Sequence, residues 1–274
     1  LNGGRFIAGP NVINYFIRHY YTEIRNVEII TYNATATFSY QGNIKNSKIY
    51  GYFLNRNGAN LIYQNATGLN MYDNYLYLEG PTTGIRNKVT NGGGIFLDNT
   101  IHCVEATGII CGTSIGNEIY VTDGDYGLTV SSEVVGGCID VTGGQPLITA
   151  NEATSGVRVT GLSIRCKDFL GPAAQVGTNT SLMGCNFFED YGQADTDMIQ
   201  VKTGCTGVEI ANCTFDYFNV AGRVGNYGIT AVDNNTVVKF ANNTIIGGTL
   251  FEPSKVIQGI LNTPDAQGNM SMTF

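Results

Sequence analysis

Four acidic side chains are the first candidates for chemistry in this sequence: Glu118, Asp140, Glu189 and Asp216. Two carboxyl groups about 6.5–9.5 Å apart can hydrolyse a glycosidic bond, one donating a proton and the other activating water. A hydrolytic pair is therefore one hypothesis for this chain. It requires a fold that brings distant positions of the sequence side by side.

Other side chains near Glu118 and Asp140 in the sequence suggest a second chemistry. A lyase that cleaves by elimination needs a base, for which Tyr120 or His102 is suitable, and a cation such as Arg165 to neutralise a uronate. Tyrosine rings also cover the apolar faces of sugars, while charged groups bind sugar hydroxyls. The candidate binding residues are Tyr50, Tyr75, Tyr77, His102, Tyr120 and Arg165.

A six-residue pattern recurs along the chain and supplies the elements that could position these side chains. Each hexad has apolar first and sixth residues and Asn, Asp or Gly third, and Ser114 is the one exception to the apolar rule. Such self-similarity is the signature of repeat architectures. The ten hexads begin, at intervals of 18 to 30 residues, at Ile24, Ile44, Met71, Phe96, Ser114, Val134, Val159, Leu182, Ile210 and Phe240.

The hexads predict an all-β fold, a parallel β-helix (solenoid) of about ten coils. Asn, Asp and Gly tolerate positive φ best, so each third residue is predicted to form a bend between two short strands. Such units cannot bury their apolar side alone, whereas coils stacked about 4.8 Å apart can. A two-sheet sandwich is the alternative, but it does not explain the fixed third residue. Like residues should form columns, with Asn212 beside Asn242 in a hydrogen-bonded ladder and Cys185 beside Cys213.

In this fold, the side chain of the fifth hexad residue and that of the residue directly after the hexad, counted as position seven, project from one outer face. These two positions hold the candidate binding residues, so aromatic and charged side chains are predicted to form a stripe along the stacked coils. Glu118 and Asp140, one coil apart, are predicted to hold their carboxyl groups roughly 8 Å apart. Eleven of the 16 tyrosines precede residue 80, which predicts that the first third provides binding surface. The alternatives are an ordinary solvated sheet and a face buried between subunits.

A second acidic group lies in the long interval between the hexads at Leu182 and Ile210. It contains Glu189, Asp190, Asp195 and Asp197. The extra residues must leave the coils as a loop, and loops on rigid scaffolds often carry function. Asp216 could join this group as the partner carboxylate across a groove. The alternative is that the loop is acidic because it is solvated.

Composition narrows the classes of partner. A net charge of -7 disfavours DNA and anionic membranes. Seven cysteines without a CxxC motif indicate free thiols of a protein made in a reducing cytoplasm. His19 and His102 are isolated, so no metal site and no cofactor are predicted. No apolar run approaches 18 residues and no secretion leader is recognised at the N-terminus.

The coils at 21–29 and 208–215 resemble those of pectate-lyase-like right-handed parallel β-helices, and the cysteine usage is most similar to bacteriophage tailspikes and tail appendages. The resemblance covers nearly the whole chain but rests on an architectural motif. It implies a homotrimer, associated with other phage tail proteins, that binds and depolymerises bacterial surface polysaccharide. It further implies a virion component made in the host cytoplasm that acts at the bacterial surface. No catalytic signature of these families is matched, so no catalytic residue is carried over.

Two other functions fit the same fold. One is a non-catalytic receptor-binding or structural tail protein, and the other is a secreted bacterial polysaccharide lyase. The repeats place the β-helix in residues 1–248. The fading pattern and the prolines at 253 and 264 predict a C-terminal cap or tail in residues 249–274.

Overall fold

The computed structural model contains β-strands as its regular structure. It describes residues 1–9, 15–18, 22–32, 36–39, 42–54, 59–63, 69–80, 88–91, 94–149, 156–167, 171–189, 198–202, 205–216, 229–231 and 238–246. Across these ranges there is no helix, and the recorded strand pairs are parallel. The chain divides into two compact units, Leu1–Thr129 and Val130–Phe274. The all-β, right-handed parallel β-helix that the sequence predicts is confirmed.

The third residue of every hexad forms the predicted bend. The φ angle of this residue is positive in all ten hexads, between 46° and 66°. A left-handed backbone costs an L-residue roughly 1–2 kcal/mol, and Gly, Asn and Asp adopt it most readily. The bend residues are Asn26, Asn46, Asp73, Asp98, Gly116, Gly136, Gly161, Gly184, Asn212 and Asn242.

The first unit contains 15 strands in three sheets. They are β1 (Arg5–Ala8), β2 (Tyr15–Arg18), β3 (Thr22–Arg25), β4 (Glu28–Tyr32), β5 (Ala36–Ser39), β6 (Gly42–Lys45), β7 (Lys48–Tyr52), β8 (Asn60–Tyr63), β9 (Leu69–Tyr72), β10 (Tyr75–Glu79), β11 (Lys88–Asn91), β12 (Ile95–Leu97), β13 (Thr100–Val104), β14 (Ile109–Ile115) and β15 (Glu118–Thr122). Sheet 1 has the order β1-β4-β7-β10-β13-β15, sheet 2 the order β3-β6-β9-β12-β14, and sheet 3 the order β2-β5-β8-β11. The boundary between the units falls in β16 (Tyr126–Val135).

The second unit repeats this plan with 13 further strands. They are β17 (Cys138–Thr142), β18 (Gln145–Ile148), β19 (Arg158–Thr160), β20 (Ser163–Lys167), β21 (Ala174–Val176), β22 (Ser181–Met183), β23 (Asn186–Glu189), β24 (Ile199–Val201), β25 (Val208–Ala211), β26 (Thr214–Asp216), β27 (Ile229–Ala231), β28 (Val238–Ala241) and β29 (Thr244–Ile246). Sheet 4 follows the order β17-β20-β23-β26-β29, and separate rows join β19-β22-β25-β28 and β18-β21-β24-β27.

The predicted count of ten coils is corrected. Sheet 1 contains six strands, whereas only five of the predicted hexads begin in the first unit, and sheet 4 contains five strands for five hexads. The additional hexad begins at Leu1. Its third residue, Gly3, has a φ of 77°, and its sixth, Phe6, pairs in register with Ile29. The sequence Leu-Asn-Gly-Gly-Arg-Phe thus satisfies the hexad rule and adds an eleventh hexad to the ten predicted.

The apolar first and sixth positions of the hexads form continuous columns inside each unit. In sheet 1 the sixth-position column runs through Ile29, Ile49, Leu76, Ile101 and Ile119, each at most 1% exposed. Burying each of these side chains contributes about 1.5–3 kcal/mol relative to exposure in water. Stacking like residues in register therefore provides the hydrophobic core that a single coil lacks.

The asparagine ladder lies one hexad position later than predicted. Asn212 and Asn242 are neighbouring bend residues, but both are exposed. Side chains at the fourth position point back into the core, and there Asn74, Asn99 and Asn117 are 3%, 1% and 2% exposed. Asn74 Nδ2 donates to Asn99 Oδ1 at 2.9 Å, and Asn99 Nδ2 donates to Asn117 Oδ1 at 2.8 Å.

Backbone groups complete the asparagine ladder. Asn99 Oδ1 also accepts from the Asn74 backbone N–H at 3.0 Å, and Asn99 Nδ2 also donates to the carbonyl of Met71 at 3.1 Å. At the end of the row Asn117 Nδ2 donates to Ser114 Oγ at 2.8 Å. Ser114, the exception to the apolar rule, is therefore the polar end of the ladder.

Cysteines occupy the same fourth position in two successive hexads of the second unit. Cys185 lies in the bend between β22 and β23, and Cys213 lies in the bend between β25 and β26. Both are buried and lie side by side, as predicted, and their Sγ atoms lie 3.7 Å and 3.5 Å from the carbonyl oxygens of Val159 and Leu182. Their mutual hydrogen bond and their burial raise the pKa of Cys213. All seven cysteines are free thiols. The next fourth position is Asn243, whose Nδ2 donates to the carbonyl of Ile210 at 2.9 Å.

Candidate functional site

The outer face of sheet 1 carries most of the binding residues predicted from the sequence. Along β10, Leu76 and Leu78 are fully buried, whereas Tyr75, Tyr77 and Glu79 are half-buried. This period-two alternation places the fifth, seventh and ninth hexad positions on the outside. The predicted direction of the fifth and seventh positions is therefore confirmed in the first unit.

Aromatic rings on this face form a connected surface, which we call the aromatic stripe. Its members are Tyr32, Tyr50, Tyr52, Tyr75, Tyr77, His102 and Tyr120. The centroids of neighbouring rings lie 4.7 to 6.4 Å apart. Tyr32 stacks on Tyr52 with an interplanar angle of 19°, and His102 stacks on Tyr120 at 15°. Offset stacking and tilted contacts are the favoured geometries of ring pairs.

The stripe crosses the strands of sheet 1. It starts on β4, β7 and β10, where Tyr52 contacts Tyr77 at 5.6 Å and Tyr50 contacts Tyr75 at 5.7 Å between ring centroids. It continues through His102 on β13, 5.4 Å from the ring of Tyr75. Five successive strands thus each contribute at least one ring.

Two phenol hydroxyls of the stripe donate hydrogen bonds to carboxylates on the same strand. The Tyr77 hydroxyl lies 3.1 Å from Glu79 Oε2, and the Tyr120 hydroxyl lies 3.4 Å from Glu118 Oε2. Burial, the hydrogen bond to Glu79 and the charge of Glu79 raise the pKa of Tyr77 to about 12. Burial likewise raises the pKa of Tyr52 and of Tyr75. Tyr52, Tyr75 and Tyr77 therefore present neutral phenols at neutral pH, and Glu79 is a carboxylate acceptor beside Tyr77.

The predicted site residues are divided between the two units. Glu118 is exposed at the start of β15, beside the stripe. Asp140 on β17 and Arg165 on β20 belong to the second unit, where they pair directly in register. The distance between the carboxyl groups of Glu118 and Asp140 stays a prediction.

The second acidic group is described only in part. Asp216 is half-buried on β26 and pairs in register with Phe188. Glu189 is the last residue of β23, while Asp190, Asp195 and Asp197 lie outside the described residues. A carboxylate pair between this group and Asp216 stays a prediction.

Three residues of this surface were missed by the sequence analysis: Tyr32, Tyr52 and Glu79. They occupy the ninth hexad position, two residues beyond the last position that was considered. Continuing the period-two alternation to the ends of β4, β7 and β10 would have found them.

No metal centre or membrane-spanning element is recognised in the part of the chain that the structure describes. No group of three or more His, Cys, Asp or Glu side chains there is arranged to hold an ion. The same residues include no helix of a length and apolarity that could cross a membrane. The site is therefore described by its aromatic rings, carboxylates and single imidazole.

The fold and the stripe define a parallel β-helix with an aromatic outer sheet. Comparison of this chain with models of protein families, with curated protein sequences and with solved structures finds no match.

Proposed function

We propose that this protein is a phage tail appendage that binds a bacterial surface polysaccharide along the aromatic stripe and depolymerises it. The observation that supports binding is the unbroken contact of seven rings across five adjacent strands. Rings of this kind pack against the apolar faces of sugars, and neighbouring carboxylates and phenols bind sugar hydroxyls. A rigid sheet holds these groups in place before the ligand arrives, which lowers the entropic cost of binding.

The position of Glu118 supports cleavage as a part of this function. Its carboxyl group is exposed beside the stripe and accepts a hydrogen bond from Tyr120. A carboxyl group there is suited to acid or base catalysis on a sugar bound to the rings. Asp140 is the proposed partner in hydrolysis, whereas Tyr120 or His102 is the proposed base in elimination. The functional form is proposed to be a homotrimer associated with other tail proteins.

Binding is tested by titrating the protein with purified surface polysaccharides of bacterial hosts. In the triple variant of Tyr50, Tyr75 and Tyr77 to Ala, affinity should fall at least about tenfold, because each ring contact contributes about 0.5–1.5 kcal/mol beyond its buried area. The control is Tyr72→Ala, which removes a half-buried tyrosine from β9 in sheet 2. Equal affinities of the parent and the triple variant would disprove the stripe as the binding surface.

Cleavage is tested by following reducing ends and unsaturated sugars released from the same polysaccharides. Hydrolysis produces reducing ends alone, while elimination also produces a double bond in the new terminal sugar. Single substitutions of the acidic residues to their amides identify the groups required: Glu118→Gln, Asp140→Asn, Glu189→Gln and Asp216→Asn. Binding without any product from the parent protein would instead identify a non-catalytic receptor-binding protein.

A further inference from the structure

The charges on the outer face of sheet 1 are unevenly distributed along the aromatic stripe. Arg5 and Lys48, the described cations of this face, lie on β1 and β7. Arg5 Nε is held by Glu28 Oε2 at 2.9 Å. The carboxylates of Glu79 and Glu118 belong to β10 and β15, the third and the fifth of the five strands that carry rings of the stripe.

The groups that the structure places beside these two carboxylates are phenols. Tyr77 donates to Glu79 and Tyr120 donates to Glu118, so one lone pair of each carboxylate is used. The remaining lone pairs can accept hydrogen bonds from hydroxyl or ammonium groups of a ligand. An anionic group placed there would meet like charge and lose its hydration at the same time.

The spacing of the rings indicates how a polymer would lie. Adjacent strands are about 4.8 Å apart, which is close to the advance of one hexopyranose in an extended chain. A polysaccharide that crosses the strands therefore brings one sugar onto each of β4, β7, β10, β13 and β15, the five strands that carry rings of the stripe. In a polyuronate every sugar carries a carboxylate, so the sugars on β10 and β15 would place theirs near Glu79 and Glu118.

From this arrangement we infer that the stripe selects polysaccharides of uncharged or amino-bearing sugars, about five sugars at a time, and disfavours polyuronates. The inference rests on the proposed binding function and adds the chemical class of the ligand. It also favours hydrolysis over elimination at this surface, because elimination depends on a uronate carboxylate in the substrate.

The test is binding to an array of purified bacterial polysaccharides of known repeat structure, grouped as uncharged, amino-bearing and uronate-containing. We expect the bound members to be uncharged or amino-bearing, with uronate-containing members at least about tenfold weaker, which corresponds to about 1.4 kcal/mol. For fragments of a bound member, affinity should rise with length up to about five sugars, one for each ring-bearing strand about 4.8 Å from the next.

Charge variants test whether Glu79 and Glu118, and not carboxylates elsewhere in the protein, weaken the binding of uronate-containing polysaccharides. The double variant of Glu79 and Glu118 to Gln should gain affinity for uronate-containing members, whereas Glu209→Gln should not, since Glu209 lies on β25 in the second unit and pairs with Lys239. A parent protein that prefers the uronate-containing members would overturn the inference and leave the proposed function standing. Absence of binding to every member would overturn both.

Discussion

The imidazole of His102 lies face to face with the phenol ring of Tyr120, with 4.7 Å between the ring centroids and 15° between the ring planes. On its other side His102 contacts Tyr75 at 5.4 Å. The only described histidine in the first unit is thus held between two rings of the aromatic stripe, where it can act as a sugar platform or as a base.

Substitution of His102 distinguishes these two roles. Phe retains the flat ring but has no titratable nitrogen, so His102→Phe should bind polysaccharide as the parent does. If His102 is the base, this variant should lose cleavage by about 100-fold or more, the usual size of a general-base contribution. Affinity and product release, measured on the same preparation, separate the roles. His102→Ala should weaken binding, and unchanged binding by that variant would show that the imidazole is not a platform.

Breaking the asparagine ladder should destabilise the first unit strongly. In Asn99→Ala, the backbone N–H of Asn74, one of the two N–H groups of its amide and the carbonyl of Met71 lose the hydrogen bond that Asn99 provides inside the core. The other amide N–H of Asn74 still donates to the carbonyl of Ile44. Each buried polar group left without a partner costs about 1–3 kcal/mol, so the free energy of unfolding should fall by about 3 kcal/mol or more. Urea unfolding measures the change.

Asn46→Gly is the matched control for the ladder. Asn46 is exposed and has a φ of 46°, a conformation that Gly also adopts. The free energy of unfolding of the Asn46→Gly variant should therefore stay within about 0.5 kcal/mol of the parent value. Equal stability losses in the two variants would show that the ladder is unimportant.

Gly161→Ala should measure how much free energy of unfolding is lost when a residue with a Cβ must adopt the positive φ of the bend. Gly161 has a φ of 66°, and a Cβ added there would meet no atom within 4 Å. The free energy of unfolding should therefore fall by about 1–2 kcal/mol from backbone conformation without a steric clash. Gly94→Ala is the contrasting variant, because its Cβ would overlap the carbonyl oxygen of Leu69 and the loss should be larger. A stabilised Gly161→Ala protein would contradict the bend geometry.

Asparagine should be accepted in place of Cys213. The Cys213 Sγ lies 3.5 Å from the carbonyl of Leu182, the first residue of the preceding hexad. Ladder asparagines donate to the equivalent carbonyl, as Asn117 does to that of Phe96. In Cys213→Asn the amide should donate to Leu182 and leave the thermal midpoint unchanged or raised. Cys213→Asp is the control, because its carboxylate would be buried against a carbonyl oxygen and should destabilise the protein. Comparable losses in both variants would show that the second unit cannot accommodate a ladder amide.

Alkaline pH should destabilise the protein partly through Tyr77. The pKa of this phenol is raised to about 12 in the folded protein, against 10.0 ordinarily. The unfolded chain therefore loses its phenol proton first, so stability is fully present below pH 10 and is lost as pH rises towards 12. The unfolding midpoint is measured from about pH 9.5 to about pH 11.5 in steps of about half a pH unit. Over this range the midpoint of Tyr77→Phe should decrease less than that of the parent protein. Parallel curves for parent and variant would refute the assignment.

The fold could be predicted from the sequence because one backbone requirement recurs with little variation. Every third hexad residue must adopt positive φ, and few residue types do so easily, so Asn26, Gly161 and Asn242 identify the coils directly. The ladder was misplaced because its residue type also suits bends. Asn74 and Asn99 directly follow bend residues, and which of two adjacent positions turns inward is decided by the bend geometry itself.

The candidate site could be predicted only where it follows from strand alternation. Tyr50, Tyr75 and Tyr77 lie on the predicted face because side chains alternate strictly along a strand. The contact of Tyr75 with His102 depends instead on rotamers and ring orientations, which repeats do not specify. The relation of Glu118 to Asp140 depends on how one compact unit follows another, and no local pattern encodes that.

The unequal intervals between hexads have a consequence for how such a protein can change. Registers on sheets 1 and 4 are kept although successive hexads begin 18 to 30 residues apart. A mutation that lengthens the sequence inside a hexad shifts every inward side chain to the opposite face, whereas one between hexads leaves the stacking intact. Selection can therefore vary the connecting segments, and with them the ligand that is recognised, while the recurring six residues stay constant in length.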